Sequence, residues 1–215
     1  IEGKRVHRYG PSNGSIRTWD LDVPVTALAR RRPNQWILAT KSGLTFWDQK
    51  DNTTTFIVDP EAENPALRFN DGAIDRQGRF LIGTLNQEHL DAPDGALYRL
   101  DPDAGIHRIA DGFATANGIG LSPDGTVLYV TDMFNGRIIA FDYDTVNGTV
   151  KGRRVFVDVP AENGLPDGLI VDAEGCVWSA HWGGSRITRY TPDGRREREV
   201  MLPVSNVTCM GFGGP

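Results

Sequence analysis

Apolar residues recur at every second position in short runs broken by glycine, proline and Asx turns, and this alternation predicts β-strands. The runs are Arg5–Tyr9, Trp36–Thr40, Leu44–Trp47, Phe80–Thr84, Ala96–Leu100, Val127–Thr131, Arg137–Asp142, Val177–Ala180 and Arg186–Tyr190. The 25 glycines and 13 prolines are spread along the chain instead of being gathered in a linker. Helical periodicity is nearly absent, so the pattern reads as all-β.

The strands repeat. The turns I-D-R-Q-G-R-F (Ile74–Phe80), L-S-P-D-G-T-V (Leu121–Val127) and V-D-A-E-G-C-V (Val171–Val177) superimpose at spacings of 47 and 50 residues. Third strands at Leu97, Ile139 and Ile187 follow the same phase. A period of about 40 to 50 residues carrying four short strands marks a β-propeller blade, and the missing helices exclude TIM-barrel and doubly wound folds. Counting from Val6 gives the outer half of one blade, then units beginning near Val25, Asp71, Gly118 and Gly168, then a strand over Ser205–Phe212 that opens another. The prediction is a single propeller domain over residues 1–215, six-bladed when closed, with about four and a half blades present; its opening and closing segments are expected to lie outside the chain.

Each predicted inner strand is entered through a polar stretch: R-F-N-D-G (Arg68–Gly72), A-T-A-N-G (Thr115 flanked by Ala114 and Ala116, to Gly118) and G-L-P-D-G (Gly164–Gly168). Taken singly, an Asn or Asp before glycine fills a left-handed turn position. Recurrence at one phase of three blades instead aims Asn70, Asn117 and Asp167 at one axial spot. Two amides and a carboxylate suit a hard divalent cation, and the set lacks the His and Cys of a dedicated zinc site. Arg68, two residues before Asn70, faces the same way on an extended segment and offers a planar fork for substrate oxygens. Glu88, on a loop of the same blade, is a candidate for bonding hydroxyls, whereas the adjacent His89 reads as an ordinary loop histidine. Asp132 in T-D-M-F-N-G and His181 in A-H-W-G-G-S occupy equivalent second-strand ends and are candidates for the rim of a substrate site, with Phe134 or Trp182 as an apolar wall. Trp36, Trp47 and Trp178 fit packing between blades.

Composition narrows the partners. A formal charge of -5, with no basic block longer than runs such as Arg30–Arg32, argues against nucleic acid or an anionic membrane. No apolar span of about 20 residues and no signal-like start is present, so a cytoplasmic location is expected. The two cysteines, Cys176 and Cys209, lie in strand-like runs and read as buried, inert thiols. Sequons at Asn13, Asn52, Asn147 and Asn206 would matter only in an exported chain.

The ordered series R-F-N-D-G-A-I-D-R-Q-G-R-F-L-I-G-T, G-A-L-Y-R-L-D, A-N-G-I-G-L-S-P-D-G-T-V-L-Y-V-T-D and P-D-G-L-I-V-D-A-E-G-C-V-W-S-A-H-W-G-G-S resembles the gluconolactonase and regucalcin family of six-bladed propellers over essentially the whole chain. The resemblance implies hydrolysis of a sugar lactone on one axial divalent cation. It makes Asn70, Asn117 and Asp167 the metal ligands, and Arg68 and Glu88 the residues that contact the lactone. Asp167, the one carboxylate among the ligands, is then the candidate catalytic group. Ca²⁺ is the expected ion, with Zn²⁺, Mg²⁺ and Mn²⁺ as alternatives. The family's remaining ligand, a glutamate in an L-G-E-G-P-like segment, has no counterpart in the context of Glu2. The expected partners are therefore a small-molecule sugar lactone and either the remainder of the propeller or a self-association partner. The alternatives are phosphotriester or other ester hydrolysis on the same cation, and a non-catalytic calcium-binding propeller.

Overall fold

The protein is described by a computed structural model over residues 4–213. A hairpin of β1 (Arg5–Gly10) and β2 (Ser15–Asp20) precedes four antiparallel four-stranded sheets. These are β3 (Val25–Arg32), β4 (Gln35–Thr40), β5 (Gly43–Asp48) and β6 (Thr53–Val58); β7 (Leu67–Ile74), β8 (Phe80–Asn86), β9 (Gly95–Leu100) and β10 (Ile106–Phe113); β11 (Ala116–Leu121), β12 (Val127–Asp132), β13 (Arg137–Tyr143) and β14 (Val150–Asp158); and β15 (Leu165–Val171), β16 (Val177–Trp182), β17 (Arg186–Tyr190) and β18 (Arg196–Met201). Each sheet is a meander of sequential strands, and the inner strands β3, β7, β11 and β15 pack on one another in order. The architecture is all-β and is that of a partial six-bladed propeller. The four whole blades and one half-blade match the repeat read from the sequence.

Two expectations need correction. Ser205–Phe212 forms no strand: it meets the last sheet through one bridge between Trp182 and Asn206, and Thr208 O accepts the Gly168 N–H at 2.8 Å. Without a partner strand for its other groups, the segment forms no ladder. Cys209, on that segment, is exposed, whereas Cys176 is buried in the turn before β16. Glu2, on which the missing-ligand expectation turned, lies outside the described residues.

The core lies between sheets. Phe69, Phe80 and Ile82 meet Ile37 and Leu44 of the preceding blade, Leu81 and Leu97 meet Leu128 and Ile139, and Tyr129 and Ile138 meet Leu169 and Val177. Trp47, 1% exposed, packs edge-on against Trp19 of the half-blade with ring centroids 5.7 Å apart. Full burial of each such side chain stabilises by roughly 1.5–3 kcal/mol. Polar contacts also cross the blade boundaries: Tyr143 donates to Asp75 Oδ2 at 2.7 Å, and Arg99 donates to the carbonyls of Asn147 and Gly148 at 2.6 and 2.8 Å.

One irregularity recurs in every blade. In the β3–β4, β7–β8, β11–β12 and β15–β16 pairs the register slips near the start of the inner strand, between Val25 and Ala27, Phe69 and Gly72, Asn117 and Ile119, and Pro166 and Leu169. Two residues there oppose one, a β-bulge that bends the strand and re-aims a side chain. The irregularity falls at or beside Asn70, Asn117 and Asp167 in the three later blades.

Candidate functional site

Asn117 and Asp167 are in direct contact, and Asn70 bonds to the backbone beside Asn117. The Asn70 side-chain amide donates to Ala116 O at 3.1 Å, which ties it to the next inner strand. Asn117 donates a short hydrogen bond to Asp167 Oδ1 and contacts Met133 Sδ at 3.3 Å, while its own Oδ1 accepts the Gly118 N–H at 3.0 Å. Asn117 and Asp167 are buried. The approach of the two strands is only possible with glycine at 118: a Cβ there would stand 2.3 Å from Leu169 N and 2.5 Å from Asp167 O.

Electrostatics single out a residue that motif reading passed over. Asp71 is partly exposed as a residue, yet desolvation of its carboxyl raises its pKa, against the Gly72 N–H that it accepts at 2.8 Å. The Asp167 carboxyl is pushed up to about 7, first by burial and then by the charge of Asp71, with the bonds from Asn117 and Gly168 acting in the opposite sense. Neither carboxylate belongs to an ion pair within 4.0 Å among the described residues. Two desolvated carboxylates without a cationic side chain are costly, and amide oxygens beside them complete an oxygen-rich donor set. The residues present therefore fit a hard divalent cation. The signal for Asp71 is present in the repeat, because the position after Asn117 and after Asp167 is glycine, Gly118 and Gly168.

The remaining candidates each have their own local partners. Arg68 Nη1 donates to Phe69 O at 2.9 Å and lies 3.5 Å from Asn70 Oδ1, so it stands on the same strand mouth. Glu88 is exposed on the loop after β8, with its backbone N–H donated to Asn86 Oδ1 at 3.0 Å. Asp132 is 2% exposed and accepts from Ala114 N at 2.8 Å and Asn135 Nδ2 at 3.0 Å, contacts that secure the loops on either side of it. His181 occupies the equivalent strand end, fully buried, with Nδ1 3.0 Å from Asn163 O and Nε2 without a hydrogen-bond partner. Burial lowers its pKa, and the carbonyl partner assigns the proton of the neutral ring to Nδ1.

A second cluster has metal-ligand composition. Asp172, Glu174 and Cys176 each place one ligand atom within 4.8 Å of the others, at the far end of β15 from Asp167. Its acceptors are already engaged. Asp172 Oδ2 receives Trp178 Nε1 at 2.9 Å and Arg189 Nη2 at 2.7 Å, and Oδ1 receives the amides of Glu174 and Cys176. Arg189 also pairs with Glu174 and Glu197, and burial pushes the Cys176 thiol up, away from the thiolate a metal needs. A guanidinium holds the place a cation would take, so the axial set is the better cation site.

The sequence profile described as the SMP-30/Gluconolactonase/LRE-like region matches residues 1–215. Regucalcin of Xenopus laevis is 32% identical over 220 residues, covering 100% of this chain and 74% of that protein. Among solved structures, a calcium-binding regucalcin from Agrobacterium tumefaciens superposes with a TM-score of 0.94 at 28% identity, over 100% of this chain and 72% of that one. A gluconolactonase from Xanthomonas campestris superposes with a TM-score of 0.82 at 25% identity, over 98% and 72% of the two chains. No helix among the described residues is long and apolar enough to cross a membrane.

Proposed function

Because the chain belongs to the SMP-30/gluconolactonase/LRE-like family, we propose that it hydrolyses a sugar lactone to the corresponding sugar acid, with one divalent cation held by Asn70, Asn117 and Asp167. The observation that supports this reading is the pair of desolvated carboxylates, Asp71 and Asp167, with the Asn117 amide bonded to Asp167. The gluconolactonase named among its structural relatives supports the substrate class, and the calcium-binding relative supports Ca²⁺ as the ion.

A cation bound there supplies Lewis-acid polarisation of the lactone carbonyl. The chain's own groups do the rest. Asp167 accepts a proton from the attacking water at its carboxylate, and the Asn117 amide bonded to Oδ1 holds that carboxylate in place. Water adds to the carbonyl carbon, the ring C–O bond breaks, and the proton passes to the departing alkoxide to leave the hydroxy acid. Arg68 donates to substrate oxygens from the strand mouth, and Glu88 accepts from substrate hydroxyls on the same blade.

The test is acid release from an aldonolactone by the purified protein, titrated at constant pH with Ca²⁺ and with chelator. Release above the spontaneous rate that stops on chelation while the β-sheet circular dichroism persists supports the lactonase. A calcium-dependent fold with no acid release replaces it with a non-catalytic calcium-binding propeller.

A further inference from the structure

Repeat phase and bulge geometry together locate a fourth axial residue. Asn70, Asn117 and Asp167 each stand five positions before the turn residue that closes their inner strand, namely Asp75, Ser122 and Asp172. In the preceding blade the matching position is Arg31, at a second register slip near the end of β3, since Asn34 takes the left-handed conformation (φ 61°) filled by Gly78 (φ 83°) one blade later. Five positions before Arg31 is Thr26. Its strand carries the same bulge, with Val25 opposite Thr40 and Ala27 opposite Ala39, so that Thr26 is the extra residue. The corresponding registers are Phe69 opposite Thr84 and Pro166 opposite His181.

The geometry points to Thr26 as a substrate-binding residue that accepts a hydrogen bond from a hydroxyl of the sugar lactone; this rests on the lactonase reading above. Thr26 is partly exposed, and its Oγ1 donates to Ala39 O at 3.2 Å. With its proton so directed, the oxygen has lone pairs left to accept from a substrate hydroxyl. A polyhydroxy compound supplies donors for them; an unsubstituted lactone does not. Blades in a six-membered ring are related by about 60°, and Thr26 is three blades from Asp167, so the two lie on opposite sides of the axis. A lactone with its carbonyl toward Asn117 and Asp167 therefore extends its hydroxyl-bearing carbons toward Thr26. Motif reading overlooks the residue because Thr26 is neither Asn nor Asp and is not followed by glycine.

The experiment compares Thr26→Val and Thr26→Ser with the parent protein on gluconolactone and on unsubstituted δ-valerolactone. Valine preserves the shape and removes the acceptor, so the ratio of kcat/KM for the polyol lactone to that for the unsubstituted one falls by about 3- to 10-fold, through KM, and serine restores it. An unchanged ratio with valine overturns the assignment while leaving the lactonase intact. A loss of Ca²⁺ affinity in calorimetry also overturns it, by making Thr26 a ligand of the ion. Parent protein inactive on both lactones removes the lactonase reading and this inference with it.

Discussion

Asn117 and Asp167, fifty residues apart in sequence and in different blades, share a short buried hydrogen bond. The bond joins an amide whose own Oδ1 accepts the Gly118 N–H to a carboxylate whose pKa burial raises to about 7. One bond thus joins two blades and two candidate site residues.

Asp167→Asn keeps the amide-bonded shape and removes the base. The expected result is a fall in lactone hydrolysis of at least about 100-fold, with an unaltered circular dichroism spectrum. A rate within a factor of a few of the parent's takes Asp167 out of the chemistry.

The same residue makes the chelated protein's stability fall as pH rises. Its folded pKa, about 7, lies above the ordinary 3.8, so the folded state retains a proton that the unfolded chain has released. The penalty grows from about pH 4 and is complete above pH 7. With chelator present, Tm should be lower at about pH 8 than at pH 5; Asp167→Asn should flatten that slope, and Ca²⁺ should recover most of the loss at pH 8. A pH-independent Tm would contradict the assignment of the buried charge.

Asp71→Asn removes one of two negative charges without touching an amide ligand. Ca²⁺ affinity, measured by calorimetry, should fall by about 10-fold or more, since ligand charge sets affinity at oxygen sites. Equal affinity in the variant would mean that Asp71 does not sense the ion.

Gly118→Ala introduces a Cβ within 2.3 Å of Leu169 N, a backbone atom that cannot swing aside. The expected cost is about 1–3 kcal/mol or more, read as a lower denaturation midpoint together with weaker Ca²⁺ binding. Loss of stability with full cation affinity would separate the strand contact from the site.

The cluster at Asp172 is expected to answer differently. Arg189→Met should lower Tm, because it strands the carboxylates of Asp172 and Glu174, and should leave Ca²⁺ affinity as it was. A variant that binds the ion more weakly would make this cluster part of the cation's environment.

Period-two alternation and the glycine-bearing turns were sufficient to predict the blades, because strand formation and tight turning are local properties, carried by residues close in sequence. The repeat also selected Asn70, Asn117 and Asp167, since a repeated unit returns equivalent positions to the same axis. Three matters depended on distant parts of the chain. Ser205–Phe212 has strand composition, but a strand needs a partner to pair with, and only single contacts are made there. Asp71 reads in sequence as one more turn residue; its desolvation and the effect of its charge on Asp167, nearly a hundred residues on, arise only in the fold. Thr26 bears no motif at all; the slipped register its strand shares with β7 and β15 is what relates it to Asn70 and Asp167. Composition and spacing could name groups able to hold a cation. Which carboxylates are buried together, and which, like Asp172, already face an arginine, was decided by packing, because desolvation and pairing are properties of neighbours brought together only by the fold.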